Sequence, residues 1–239
     1  MRSHRFYTDI ELSENTLVNL PSQAAHHCGQ VLRYKVGDNL TVFNGDGFDY
    51  YATIDRLEKK SCQIKIEKKI DPQNESPLKI HLYQGIARGD KMDLIIQKAV
   101  ELGVTAITPI FTERCNVKLE GKRLDKKIQH WQQIQLSACE QSGRAIIPAF
   151  NTATHLHQTP QQSASSFYLE PTSNQGFGDL PEQSLMSLFI GPEGGFAEKE
   201  INFLEKIGCQ GLKMGPRILR TETAGLSAIA ILQSHFGDI

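Results

Sequence analysis

The rhythm of the chain changes once, at DPQNESP (71–77), and that change constrains the fold more than any other feature. Before it, the runs RFYT, TLVNL, NLTVFN, FDYYATIDRL and SCQIKIEKKI are short and rich in β-branched and aromatic residues, the composition of strands. Asn-Gly-Asp-Gly at 44–47 separates two of them and predicts a hairpin, because Asn and Gly accept the positive φ of tight turns. One helix, PSQAAHHCGQVLR (21–33), interrupts the strands, with Pro21 expected in its first turn. A small β-barrel with one helix fits this pattern.

After the linker, strands alternate with helices, which implies a largely parallel sheet covered by helices. LKIHLYQ, VTAITPI, FYLE (167–170), SLMSLFI (184–190) and CQGLKM read as strands. GDKMDLIIQKAVELG reads as a helix, since Met92, Ile95, Ile96, Ala99 and Val100 recur on one face. Asp90 is expected to cap its start and Gly103 to stop it. LDKKIQHWQQIQLSACEQ, AEKEINFLEKIG and the apolar TETAGLSAIAILQSHF complete the helices.

In open parallel sheets, ligands sit outside the carboxyl ends of the strands. Two glycine-bearing loops leave strands there: GPEGGF at 191–196 and GPRILRTETAG at 215–225. Neither fits a dinucleotide or phosphate-loop pattern. Glu193 and Glu222, in or beside these loops, would repel a phosphate but tolerate a cationic or zwitterionic ligand. S-adenosyl-L-methionine has no phosphate and carries a sulfonium, and glycines let the backbone approach its flat base.

The pair IGPEGGF (190–196) and GPRILRTETA (215–224) resembles the signature of the SPOUT methyltransferases. With HRFY (4–7), HHCGQVLR (26–33), RGDKMDLIIQKAVELGV (88–104), ER (113–114) and EQSGR (140–144), the chain is similar, in order and nearly throughout, to the bacterial ribosomal small-subunit RNA uridine-N3 methyltransferases. The resemblance implies an α/β fold: a trefoil-knotted SPOUT methyltransferase domain (73–239) behind an N-terminal PUA-like β-barrel (1–72) that contacts RNA. It implies S-adenosyl-L-methionine as cofactor, held by Leu169, Ile190, Gly191, Pro192, Gly194, Gly195, Met214, Gly215, Ile218, Leu219, Thr221, Thr223 and Ala224. It also implies a homodimer acting on 16S rRNA within the 30S subunit.

Transfer to uridine N3 requires loss of an imide proton held well above neutral pH. A general base, or cations that stabilise the uridine anion on O2 and O4, must help. The charged residues beside the loops are Arg88, Arg114, Glu193, Arg220 and Glu222, with a glutamate favoured as base because no histidine lies between 158 and 234. On the same fold, ribose 2′-O methylation of tRNA or rRNA stays open, as does a non-catalytic RNA-binding or assembly factor.

The formal net charge of -1 gives no bulk signal for nucleic acid, so RNA contact must come from local patches. Residues 113–127 carry six Lys/Arg, including Arg114, Lys122 and Arg123, against three acids. Arg2, Arg5 and Arg33, with Arg88 at the catalytic loops, are the other expected RNA contacts. The five scattered cysteines argue for reduced thiols and a cytoplasmic protein. The start lacks a signal-peptide stretch, no run is long enough to span a membrane, and His26–His27 and His155–His157 lack the companions of a metal site.

Overall fold

The computed structural model describes His4–Gln162 and Ser165–Ile239; the expected RNA contact Arg2 lies outside the described residues. The chain divides into two compact units. One holds the residues up to Glu75 together with Cys139–Ile147, the other Ser76–Ala138 with Pro148–Ile239.

The first unit is a five-stranded sheet. Its elements are β1 (Arg5–Tyr7), β2 (Leu17–Asn19), α1 (Ser22–His26), β3 (Asn39–Phe43), β4 (Asp49–Leu57) and β5 (Cys62–Ile70). The strand order is β1-β3-β4-β5-β2, with β1 parallel to β3 and the other neighbours antiparallel. Along β4 and β5 the period of two is plain: Tyr50, Ala52 and Ile54, and Cys62, Ile64 and Ile66, are buried. Phe6 of β1 and Val18 of β2 join the same core, so the two edges of the sheet share one interior and the sheet must curl around it. The 44–47 turn joins β3 to β4. Asn44 and Asp46 accept the amides of Asp46 and Phe48, and Gly45 and Gly47 both take φ of +92°.

The helix expected over 21–33 is shorter and wider. After α1 the chain makes a π-helical turn at His27–Val31, closed by Leu32 N–H to His27 O, and turns out at Arg33, whose φ is +56°. Pro21 precedes the helix instead of entering its first turn. Cys139–Ile147 is fastened to the N-terminal residues by polar contacts. The Arg5 guanidinium pairs with Asp49 at 2.6 Å and donates to the carbonyls of Cys139 and Arg144. Arg144, 4% exposed, makes a two-pronged bond to Glu75 at 3.0 and 2.6 Å.

The second unit is a parallel sheet. Its elements are β6 (Lys79–Gly85), α2 (Lys91–Glu101), β7 (Ala106–Phe111), α3 (Gly121–Ser142, whose last residues belong to the first unit), β8 (Ala149–Phe150) and β9 (Thr154–His155). β10 (Ser165–Leu169), β11 (Leu185–Ile190), α4 (Glu198–Lys206), β12 (Cys209–Leu212) and α5 (Thr221–Phe236) follow. The order is β12-β10-β11-β6-β7-β8, with β9 also on β7. Met186–Ile190 are all buried, as a strand covered on both faces requires. α2 buries the five residues its periodicity named and ends at Gly103, with φ of +83°. Asp90 stands at its start but makes no side-chain capping bond. β6, the first strand of this unit, lies inside the sheet between β7 and β11, which puts a topological switch point beside it. Among the described residues no helix is long and apolar enough to cross a membrane.

Arg144→Met leaves Glu75 facing a partly buried site without its partner. Urea unfolding should show a loss of about 3 kcal/mol, and Arg144→Lys should restore only part of it because it lacks the two-pronged geometry.

Candidate functional site

Three strands of the parallel sheet, β10, β11 and β12, end at one cleft, which with its open mouth encloses about 710 Å³. Its walls come from Leu169–Pro171 after β10, from the 190–196 loop after β11, from the 212–219 segment after β12, and from Thr221 and Ala224 of α5.

The loop after β11 is fixed by close backbone contact. A Cβ on Gly85, at the end of β6, would stand 2.5 Å from the Pro192 nitrogen, so only glycine lets β6 and the loop meet. A Cβ on Gly191 would stand 3.1 Å from Gly195, where the loop folds back on itself through Gly195 N–H to Pro192 O. Gly195 itself has φ of +67°. α5 is tied to the same loop: Thr221 Oγ1 donates to Gly191 O at 2.6 Å and accepts from the buried Gln84 Nε2 at 3.1 Å. Gly225 brings the next turn of α5 against Ile190 and Gln84. Glu200 fastens the far side, accepting the amides of Ala197 at 2.8 Å and Glu113 at 2.7 Å.

The residues expected from the sequence to hold the cofactor line the cleft, except Gly194 and Thr223. Gly194 faces Arg114: a Cβ there would meet the Arg114 side chain at 2.9 Å, and Arg114 Nη1 donates to Gly194 O. Thr223 is exposed on α5. Sequence reasoning missed Glu170, Pro171, Phe196, Leu212 and Arg217 as lining residues. Glu170 and Pro171 follow β10 directly and Leu212 ends β12, so the rule of carboxyl ends could have found them. Phe196 and Arg217 were inside the quoted loops.

Glu193 faces the cleft, and its Oε1 accepts from the Arg88 amide at 3.1 Å and from Lys91 Nζ at 3.3 Å. Burial pushes its pKa up, but the amides of Arg88 and Glu193 and the Lys91 ammonium outweigh this and hold the carboxyl below its usual range. Lys91 also lies 3.6 Å from Glu222, whose Oε2 is buried with no hydrogen-bond partner. Arg88, Arg114 and Arg220 are exposed, as are Arg33 in the first unit and Lys122 and Arg123 at the start of α3. Arg5 is a correction: its guanidinium, 11% exposed, is committed inside the first unit and stacks over Phe43 at 4.4 Å. It has no free face for RNA.

The charged lining residues are Glu170, Glu193 and Arg217, and apart from Thr221 the rest of the wall is apolar or backbone. Such a wall suits a flat base with a cationic tail. Ile218, which lines the mouth of the cleft, is 86% exposed. Among the described residues no group of three metal-ligating side chains converges.

The α/β unit with its cleft at the carboxyl strand ends and the β unit that precedes it both match RNA methyltransferase families. Residues 74–233 match the RNA methyltransferase domain family, and residues 20–67 match the RNA methyltransferase PUA domain. The ribosomal RNA small subunit methyltransferase E of Buchnera aphidicola is 37% identical, over 100% of this chain and 98% of its own. A solved ribosomal RNA small subunit methyltransferase E from Neisseria gonorrhoeae, bound to S-adenosylmethionine, is 38% identical over 100% of both chains, with a TM-score of 0.93. A Legionella pneumophila chain solved with bound S-adenosylmethionine is 40% identical over 100% of both, with a TM-score of 0.95. The chain belongs to the ribosomal RNA small subunit methyltransferase E family.

Gly85→Ala forces the 190–196 loop away from β6. Isothermal titration should show S-adenosylmethionine affinity falling about tenfold or more, with a stability loss of about 1–3 kcal/mol from overpacking.

Proposed function

We propose that the chain transfers a methyl group from S-adenosylmethionine to N3 of a uridine in 16S rRNA. The observation that carries this reading is the cleft itself: glycine-fixed loops, aliphatic walls and an ionised carboxylate, with no phosphate-binding pattern. Bound there, S-adenosylmethionine supplies an electrophilic methyl group on a sulfonium. Leu169, Met214, Ile218 and Leu219 would hold its apolar parts, and Glu193 would balance the positive charge.

The proton on N3 must leave during transfer. Glu193 is a weak acceptor because its pKa is depressed. We assign the proton to Glu222: it sits in the first turn of α5, next in the chain to the cleft-lining Thr221, and its Oε2 makes no hydrogen bond, with Lys91 Nζ 3.6 Å away. Arg88, Arg114 and Arg220 offer exposed guanidinium groups for the uridine anion and for RNA phosphates. Arg33, Lys122 and Arg123 extend the phosphate contacts, which makes binding salt-dependent.

The same reading makes residues 1–72 the RNA-binding part and 73–239 the catalytic part, working in the cytoplasm on 16S rRNA inside the 30S subunit. A trefoil knot is supported by the joint lining of one cleft by the loops after β11 and β12, with α5 starting against the first of them. A homodimer is supported by Leu226, Ala230 and Ile231 of α5, apolar and only partly covered within one chain.

Purified protein, labelled S-adenosylmethionine and 30S subunits from cells lacking the gene should yield label in 3-methyluridine. Label in a 2′-O-methyl nucleoside would instead move the target to ribose, and bound cofactor with no label would point to a binding factor. Glu222→Gln should lower kcat by about 10²-fold or more while cofactor affinity stays near wild type.

A further inference from the structure

Lys91 is the first residue of α2, at the positive end of the helix dipole, where a cation is disfavoured. Helix stability does not account for it. Its ammonium instead lies between two carboxylates brought there by different segments, 3.3 Å from Glu193 Oε1 in the loop after β11 and 3.6 Å from Glu222 Oε2 in the first turn of α5. The Glu222 side chain is only 14% exposed, and its Oε2, which has no hydrogen-bond partner, is held by this ion pair. Of these three groups Glu193 lines the cleft, while Lys91 and Glu222 stand behind it, Glu222 next in the chain to the cleft-lining Thr221.

We propose that Lys91 is a positioning residue for methyl transfer, its ammonium holding Glu222 of α5 in place beside Glu193 of the cofactor loop. The inference rests on the methyltransferase reading above. As the N3–C bond forms, the S–CH₃ bond breaks with its electron pair staying on sulfur, and the N3 proton passes to the Glu222 carboxylate. The products are 3-methyluridine, S-adenosylhomocysteine and protonated Glu222, which then loses its proton to water. Without an ammonium between them, two carboxylates repel, and Glu222 is free to turn away from Glu193 and the start of α5.

The other groups around this cluster do not replace Lys91. Arg88 reaches Glu193 through its backbone amide. Arg114 spends a donor on Gly194 O. Cys115, which feels the Glu193 charge, has its thiol pKa raised mainly by burial. Asp93, further along α2, is taken up by His130 and Trp131. Asp90 and Arg220 are exposed neighbours in the chain.

The test compares wild type, Lys91→Met and Lys91→Arg. Lys91→Met should lower kcat by about 10- to 100-fold, because a misplaced base costs rate steeply, with little change in the KM for S-adenosylmethionine. Removing a cation raises the pKa of neighbouring carboxylates, so the acid limb of kcat should move to higher pH. In unloaded protein carrying ¹³C-labelled glutamate, the Glu193 carboxyl should titrate at higher pH by NMR. Lys91→Arg, which keeps the charge, should recover most of the rate and both titrations. A Lys91→Met enzyme with a wild-type rate, or a slower one whose acid limb and Glu193 titration do not move, overturns the proposal. Wild-type protein that binds cofactor but makes no 3-methyluridine overturns the functional reading and this inference with it, whereas wild-type activity isolates the Lys91 result.

Discussion

The end of β6 and the loop after β11 touch backbone to backbone, and the geometry of the cleft follows from that contact. A single added carbon on Gly85 would lie inside the van der Waals distance of Pro192 and Gly191. With the two segments locked, the loop can only fold back on itself, which it does through Gly195. Its free carbonyl at Gly191 then receives the Thr221 hydroxyl, and α5 starts at that point. Gln84 supports the hydroxyl from below, so one buried amide sets the height of α5 above the sheet. The cleft is thus a consequence of three segments meeting at one strand end. A loop that shifted by an ångström would lose the backbone contact and the helix start together.

Once the backbone is fixed, charge decides what can enter. Phosphate sites at strand ends usually offer a helix N-terminus or a ring of free amides. Here one of those amides, that of Arg88, is spent on Glu193. The result is a wall whose loop carboxylate stays ionised, which opposes an anion and favours a sulfonium. The same bonds make Glu193 a poor proton acceptor. A carboxylate held low by amides keeps its charge through the reaction, whereas a base must be able to give its charge up.

Much of this was legible in the sequence. The period of 3.6 in α2, the alternation in β4 and β5 and the Asn-Gly-Asp-Gly turn are local signals, and each is found where it was read. The cleft residues in GPEGGF and GPRILRT were legible because loops at parallel strand ends are where ligands bind. What sequence reasoning could not see depends on contacts between distant positions. Gly194 looks like a second cradle glycine, yet it is small to admit Arg114, eighty residues earlier in the chain. The π-helical turn at His27–Val31 and the inclusion of Cys139–Ile147 in the first unit have no local mark either.

The arginines make the same point most sharply, because one residue type serves opposite ends. Arg5 and Arg33 both belong to short motifs of the first unit and read alike as RNA contacts. Arg5 faces Asp49 and the carbonyls of Cys139 and Arg144, so desolvation is offset by an ion pair and filled acceptors, and the charge becomes a strut. Arg33 follows the wide turn after α1 with a left-handed backbone, a conformation that turns the chain outward and leaves its side chain in solvent. The difference is made by where Cys139–Ile147 passes, more than a hundred residues away. Charge patterning therefore locates the arginines of such a surface, but only the tertiary contacts decide which of them remain free to meet a phosphate.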